Sequence, residues 1–314
     1  MDYFVPLPGT AAPSFAGSVL VLPQPSLSSV AQLAADLVVH NYRLELVGYL
    51  GVRDHVPAVG GTDALPGEPD REGLSLGTEV YTTPSRSLTV VLPRAPVIRA
   101  RKAHHLDAMR RFVAAGAFAE VLLVAGVDAA MRADEALNSP APLRHLVVPP
   151  SPSSSSSSSP PPQSVVIASL VALTPPYPSS SSSSSSSSLS SLPALPHAGL
   201  TRALLAALST PATQAPAPVA ALVAYTAEGA SSALAHEVAS ALARVVAAPL
   251  AEVADRVEWS LPPRVGNNGE GNTEQGQESG EGQERVIKWR EPRSWERGLM
   301  GVELERGAGR EMFS

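Results

Sequence analysis

Apolar and polar positions change period several times along the chain, and those changes mark its elements. Ser18–Leu22 is a short apolar run stopped by Pro23, the pattern of a buried strand. Beyond it Val30, Leu33, Ala34, Leu37 and Val38 fall at i, i+3, i+4, i+7 and i+8. That spacing predicts a helix with one apolar stripe. Ser28 or Ser29 is placed to cap its start, and Asn41 to stop it in the left-handed conformation. Leu44 to Leu50 reads as the next strand. A strand, helix and strand this closely spaced predict parallel neighbours joined by a right-handed crossover.

Residues 51–73 are punctuated by Gly60–Gly61, Pro66–Gly67 and Pro69 and read as a loop. Gly77–Thr83 and Leu88–Leu92 predict a hairpin turning at Pro84–Ser85–Arg86. Leu106, Met109 and Val113 place an apolar stripe on a helix ending at Gly116. Glu120–Val127 predicts a buried strand, Leu143–Val148 a weaker one, and Val165–Leu173 a further strand. Leu200–Leu208 predicts a helix and Val219–Tyr225 a strand. A helix capped by Ser231 follows to about Val246, and a short one spans Leu250–Val257. Alternating strands and helices predict an α/β fold built as a three-layer α/β/α sandwich.

Composition adjusts this picture at three places. Residues 151–163 and 175–193 are Ser/Pro low complexity; polyserine buries nothing, so both are expected as disordered inserts in surface loops. Residues 263–284 are rich in Gly, Asn, Gln and Glu and read as a disordered acidic linker. One α/β domain over 1–262 is therefore expected, then this linker, then a C-terminal aromatic segment over 285–314. The net charge of -6 argues against nucleic acid as a partner. Cysteine is absent, which removes disulfides, thiolate nucleophiles and Cys-based zinc sites. Met1–Pro6 lacks the charged start and apolar centre of a signal peptide. The longest apolar runs are too short to span a bilayer, so no membrane is expected, and the default setting is cytoplasmic or nuclear.

Three blocks of residues carry a family resemblance. The first holds Phe4–Val5–Pro6, Ala16–Gly17, Gln32–Leu33–Ala34, Asp36–Leu37, Gly48–Tyr49, Val56–Pro57 and Val59–Gly60. The second holds Glu79, Val80, Tyr81, Pro84, Ser85, Arg86 and Leu88, and the third Trp289, Pro292, Ser294 and Trp295. Together they resemble the proteasome assembly chaperone 2 family. The resemblance implies a fold like that of nucleoside phosphorylases. It also implies a non-enzymatic chaperone without cofactor or metal. Such a chaperone pairs with a proteasome assembly chaperone 1-like subunit as a heterodimer and binds proteasome α-subunits to promote α-ring assembly. Met312–Phe313–Ser314 resembles the hydrophobic–tyrosine–any residue tail by which such proteins dock between ring subunits, with Phe313 in place of tyrosine. The resemblance implies that the terminal carboxylate meets a pocket lysine.

Few motifs point to chemistry. No phosphate loop, dinucleotide-binding glycine pattern or nucleophile elbow is present. His236–Glu237 starts like a zinc-protease helix, but Ser240 stands where the second histidine belongs. His104, His105 and Asp107 diverge around a helix and are expected in solvent. Arg94–Arg111 is locally basic, either a solvated face or complementary to an acidic protein. Arg86 on the hairpin is a candidate contact for a phosphate or carboxylate. Trp289 and Trp295 form an aromatic patch that needs a docking surface, on this chain or another. Two other readings stay open: a phosphorylase- or hydrolase-like enzyme of the same fold, and a scaffold for another complex.

Overall fold

The computed structural model describes residues 3–69, 73–132, 142–148, 164–178, 192–209, 217–229, 232–260 and 286–296. Residues 151–163 and 179–191, the acidic linker, Ser231 and the Met312–Ser314 tail lie outside these residues. Residues 175–178 and 192–193, expected within the second disordered insert, are instead part of the fold: the Tyr177 N–H donates to the His145 carbonyl at 2.7 Å and Leu192 is buried.

The centre is built from the continuous apolar runs. Strands β2 (Val19–Pro23), β8 (Glu120–Asp128) and β10 (Val219–Thr226) lie side by side and parallel, buried on both faces. Five more strands complete the sheet: β1 (Phe4–Pro6), β3 (Glu45–Leu50), β6 (Thr78–Thr82), β7 (Leu88–Pro93) and β9 (Leu143–Val147). The order is β1-β3-β6-β7-β2-β8-β10-β9. β7 runs parallel to β2, while β1, β3, β6 and β9 join by antiparallel pairs. A two-stranded ribbon, β4 (Val59–Gly61) with β5 (Leu74–Leu76), projects from the stretch expected as loop. Gly48 of β3 has no room for a side chain, because a Cβ there would meet the Val5 carbonyl at 2.3 Å.

Strand alternation sorts the side chains into two cores. Val19 and Val21 face α1 (Val30–Asn41), α3 (Val165–Leu173) and α5 (Ser232–Val245). Leu20 and Leu22 face α2 (Lys102–Gly116) and α4 (Gly199–Ser209), with a cluster of Phe4, Phe15, Phe112 and Phe118. Helices thus cover both faces of the sheet.

Several sequence expectations need correction. Val165–Leu173 is a helix. A short all-apolar run has no period to decide between the two forms, and the N-cap decides it here. The Ser164 hydroxyl accepts from the Ile167 N–H at 3.1 Å. β2 and β3 run the same way, but β6 and β7 lie between them, so they are not neighbours. Neither Ser28 nor Ser29 caps α1 by its side chain; both residues are left-handed, and Ser28 hydrogen-bonds Thr226 instead. The left-handed stop after α1 is Arg43, at φ 51°, while Asn41 ends the helix proper. α1 is also buried on every side rather than along one stripe. Its polar residues Gln32, Asp36, His40 and Asn41 are covered too, and Asp36 and Asn41 hydrogen-bond the C-terminal segment 286–296.

Candidate interaction surface

The hairpin turn expected from Pro84–Ser85–Arg86 is held from outside. Glu252, on the helical stretch after α5, accepts from the Ser85 N–H at 3.2 Å and from the Ser85 hydroxyl. The Ser87 hydroxyl reaches the Pro249 carbonyl at 2.7 Å and Glu252 at 3.3 Å. These hydroxyls hold the Glu252 carboxyl below its usual range, Ser85 most strongly. Between the two pinned serines, Arg86 is exposed and left-handed at φ 63°. A non-glycine residue avoids that region unless its neighbours fix it. The guanidinium is therefore presented outward by a rigid turn.

A second exposed feature escaped the sequence reading. Val52, Val56, Val59 and Leu74 are 49, 44, 70 and 56 % exposed, and all lie on the β4–β5 ribbon or the loop leading to it. Four exposed apolar side chains within residues 52–74 make this stretch a candidate contact surface. No period signalled it, because the ribbon is short and interrupted by glycine and proline.

The basic stretch is mostly neutralised by this chain's own carboxylates. Arg101 and His104 both meet Asp54, at 3.1 and 2.7 Å, and Arg110 and Arg111 both meet Asp107. Arg94 is mostly buried rather than on an open face. It bonds Asp36 at 2.7 Å and Glu79 at 2.8 Å, and the Tyr81 hydroxyl donates to the same Glu79. His105 is likewise buried, edge-on to His55 with ring centres 5.1 Å apart, and not in solvent as expected.

Asp36 is the hub of the buried network. Besides Arg94 it meets His40 at 3.2 Å and accepts from the Trp295 indole at 3.0 Å. Burial pushes its carboxyl up, but Arg94 and His40 outweigh that and hold it well below the usual range. Burial pushes His40 down, and the Asp36 charge more than restores it, so its net shift is upward. Burial, then the Glu79 charge, drive the Tyr81 phenol upward. Trp295 itself is only 2 % exposed. Of the two tryptophans expected at an interface, Trp295 docks inside this chain. Trp289 is half-buried and donates to the Ser240 hydroxyl at 2.8 Å.

A pocket at the carboxyl ends of β2, β3 and β7 is lined by Gln24, Gly51, His55, Thr78 and His105 among others. Its cavity volume is about 20 Å³, room for about one water. Burial, then His55, push His105 down to about 4. Among the described residues no three His, Asp or Glu side chains gather as a metal site, and no helix is long and apolar enough to cross a membrane.

Residues 20–261 match the PAC2 family, more than half of the sequence. The chain belongs to the PAC2 family. Among curated proteins it is 31 % identical over 141 residues to the proteasome assembly chaperone 2 of Danio rerio. It is 32 % identical over 146 residues to that of Homo sapiens. These matches cover 45 and 46 % of this chain and 54 % of each relative, so the chain spans about half the length of the curated relatives it matches. Among solved structures it is similar to Pyrococcus furiosus PbaB, an archaeal proteasome activator. There the TM-score is 0.46 and the identity 14 %, over 81 % of this chain and 96 % of the other. For P. furiosus PbaA, an archaeal homolog of proteasome-assembly chaperone, the TM-score is 0.47 and the identity 13 %, over 77 and 85 %. Glu79, Tyr81 and Asp36, three of the residues that carry the sequence resemblance, lie in the buried network of this chain.

Proposed function

We propose that this PAC2-family chain is a non-enzymatic chaperone of proteasome assembly. It pairs with a proteasome assembly chaperone 1-like subunit, and the heterodimer holds proteasome α-subunits while the α-ring forms. The observation that carries this reading is the identity of about 30 % to relatives named proteasome assembly chaperone 2. The mechanism is binding alone. The apolar residues around the β4–β5 ribbon supply buried contact area to a partner. Arg86 offers a fixed guanidinium to a partner carboxylate. Met312–Phe313–Ser314 is the segment proposed to reach a pocket on the ring. No nucleic acid, membrane or cofactor takes part, and the proposed setting is the cytoplasm and nucleus.

The finer reading of the sandwich as nucleoside phosphorylase-like stands with this proposal.

Titration against isolated α-rings tests the proposal. Deletion of residues 312–314 is expected to weaken ring binding about ten-fold or more, from the lost burial of Phe313. It is expected to leave pairing with the partner chaperone unchanged. Equal ring affinity with and without these residues would remove the tail from the mechanism. Absence of ring binding by the intact heterodimer would remove the proposal itself.

A further inference from the structure

Residues 286–296 add no strand to the main sheet. Their β12 (Val286–Ile287) pairs only with the short β11 (Trp259–Ser260). Beyond that ribbon the segment lies in a groove between α1, α5 and the turn over residues 63–68, and it is held there by side chains. Asn41 reads the Arg290 backbone from both sides, accepting from its N–H at 3.0 Å and donating to its carbonyl at 2.9 Å. Asp63 accepts from the Ser294 N–H at 3.2 Å. Each indole has a socket and a polar partner. Trp289 lies against Tyr42 and donates to Ser240. Trp295 stacks on His236 and donates to Asp36.

Main-chain groups clamped by an amide and a carboxylate, with two aromatic anchors in pockets, are how a protein binds a peptide ligand. Asp36, the acceptor for Trp295, is also held by Arg94 and His40. An acceptor already fixed by such partners costs less to order on binding.

We propose that this groove is a peptide-recognition site for a Trp-x-x-Pro-x-Ser-Trp segment. It is filled by the chain's own residues 289–295 and can accept the same segment from a second copy of the chain.

The test uses the full chain with a specific protease site placed within residues 263–284. After cutting, a fluorescent synthetic peptide of residues 286–296 is titrated in, standing in for the segment of a second copy. Saturable uptake of the labelled peptide is expected, with displacement of the cut C-terminal fragment. A peptide carrying Trp295→Ala is expected to bind about 30-fold more weakly, the effect of losing a central anchor. Placing the substitution in the peptide leaves the folded chain unaltered. Three results would overturn the proposal: no uptake at millimolar peptide, equal binding by the Trp295→Ala peptide, or unfolding of the chain on cutting. The last would show that the segment is an integral part of the fold.

Discussion

His105 is buried against His55, and its imidazole is held neutral down to about pH 4. The unfolded chain takes up a proton there near the ordinary value of 6.5. Between these values the unfolded state binds more protons, so the contribution of His105 is intact above about 6.5 and is lost as pH falls toward 4. His55 is shifted in the same direction. His40 is shifted upward by Asp36, so its contribution is present at low pH and is lost as pH rises through its raised value. Urea unfolding at pH 7 and pH 5, compared between the parent and a His105 variant, reads the first effect. His105→Leu is expected to shrink the loss of stability between these pH values by roughly 1–2 kcal/mol. An unchanged difference in the variant would show that this ring does not govern the profile. At this scale the sequence was only partly legible. The turn that exposes Arg86 was legible from Pro84–Ser85–Arg86 between two strand patterns. Arg94 was not, because its carboxylate partners Asp36 and Glu79 lie on other elements, and the cations around it in sequence suggested a surface.

Among elements, legibility followed the strength of the period. The runs at β2, β8 and β10 could only be buried strands once their length and their Pro or Gly flanks were counted. The helix at Val165–Leu173 was misread because every position is apolar or small, so neither a 3.6 nor a 2 period appears. What fixes it as a helix is Ser164. Its hydroxyl caps the Ile167 N–H and also donates to Glu120, which itself accepts from Ile167 at 3.2 Å. Ser164→Ala is therefore expected to lower stability by about 1 kcal/mol, as loss of an N-cap does. Thermal or urea unfolding measures it, and a variant as stable as the parent would show that packing of Val166 and Leu170 alone holds this helix. Strand neighbours were not legible either. Adjacency of β2 to β7 and β8 depends on which crossovers pack, and no local pattern records that.

Across the whole molecule, strands drawn from Phe4 to Thr226 share one sheet between two cores, and residues 286–296 return to the first core through Trp295. The resemblance in the third block marked this segment from sequence, but not its docking surface. The sequence also marks residues 151–163 and 179–191 as unable to bury apolar area. Replacing both with short Gly/Ser links is expected to keep stability within about 1 kcal/mol. A melt that loses cooperativity on this replacement would place them inside the folding unit. The chaperone reading itself rests on partners. Capture of the tagged full chain from its own cells, with the captured proteins identified by mass, tests it most directly. The account predicts a related assembly chaperone in equal amount, together with proteasome α-subunits. Recovery of the chain alone, or with a complex containing neither, would contradict it.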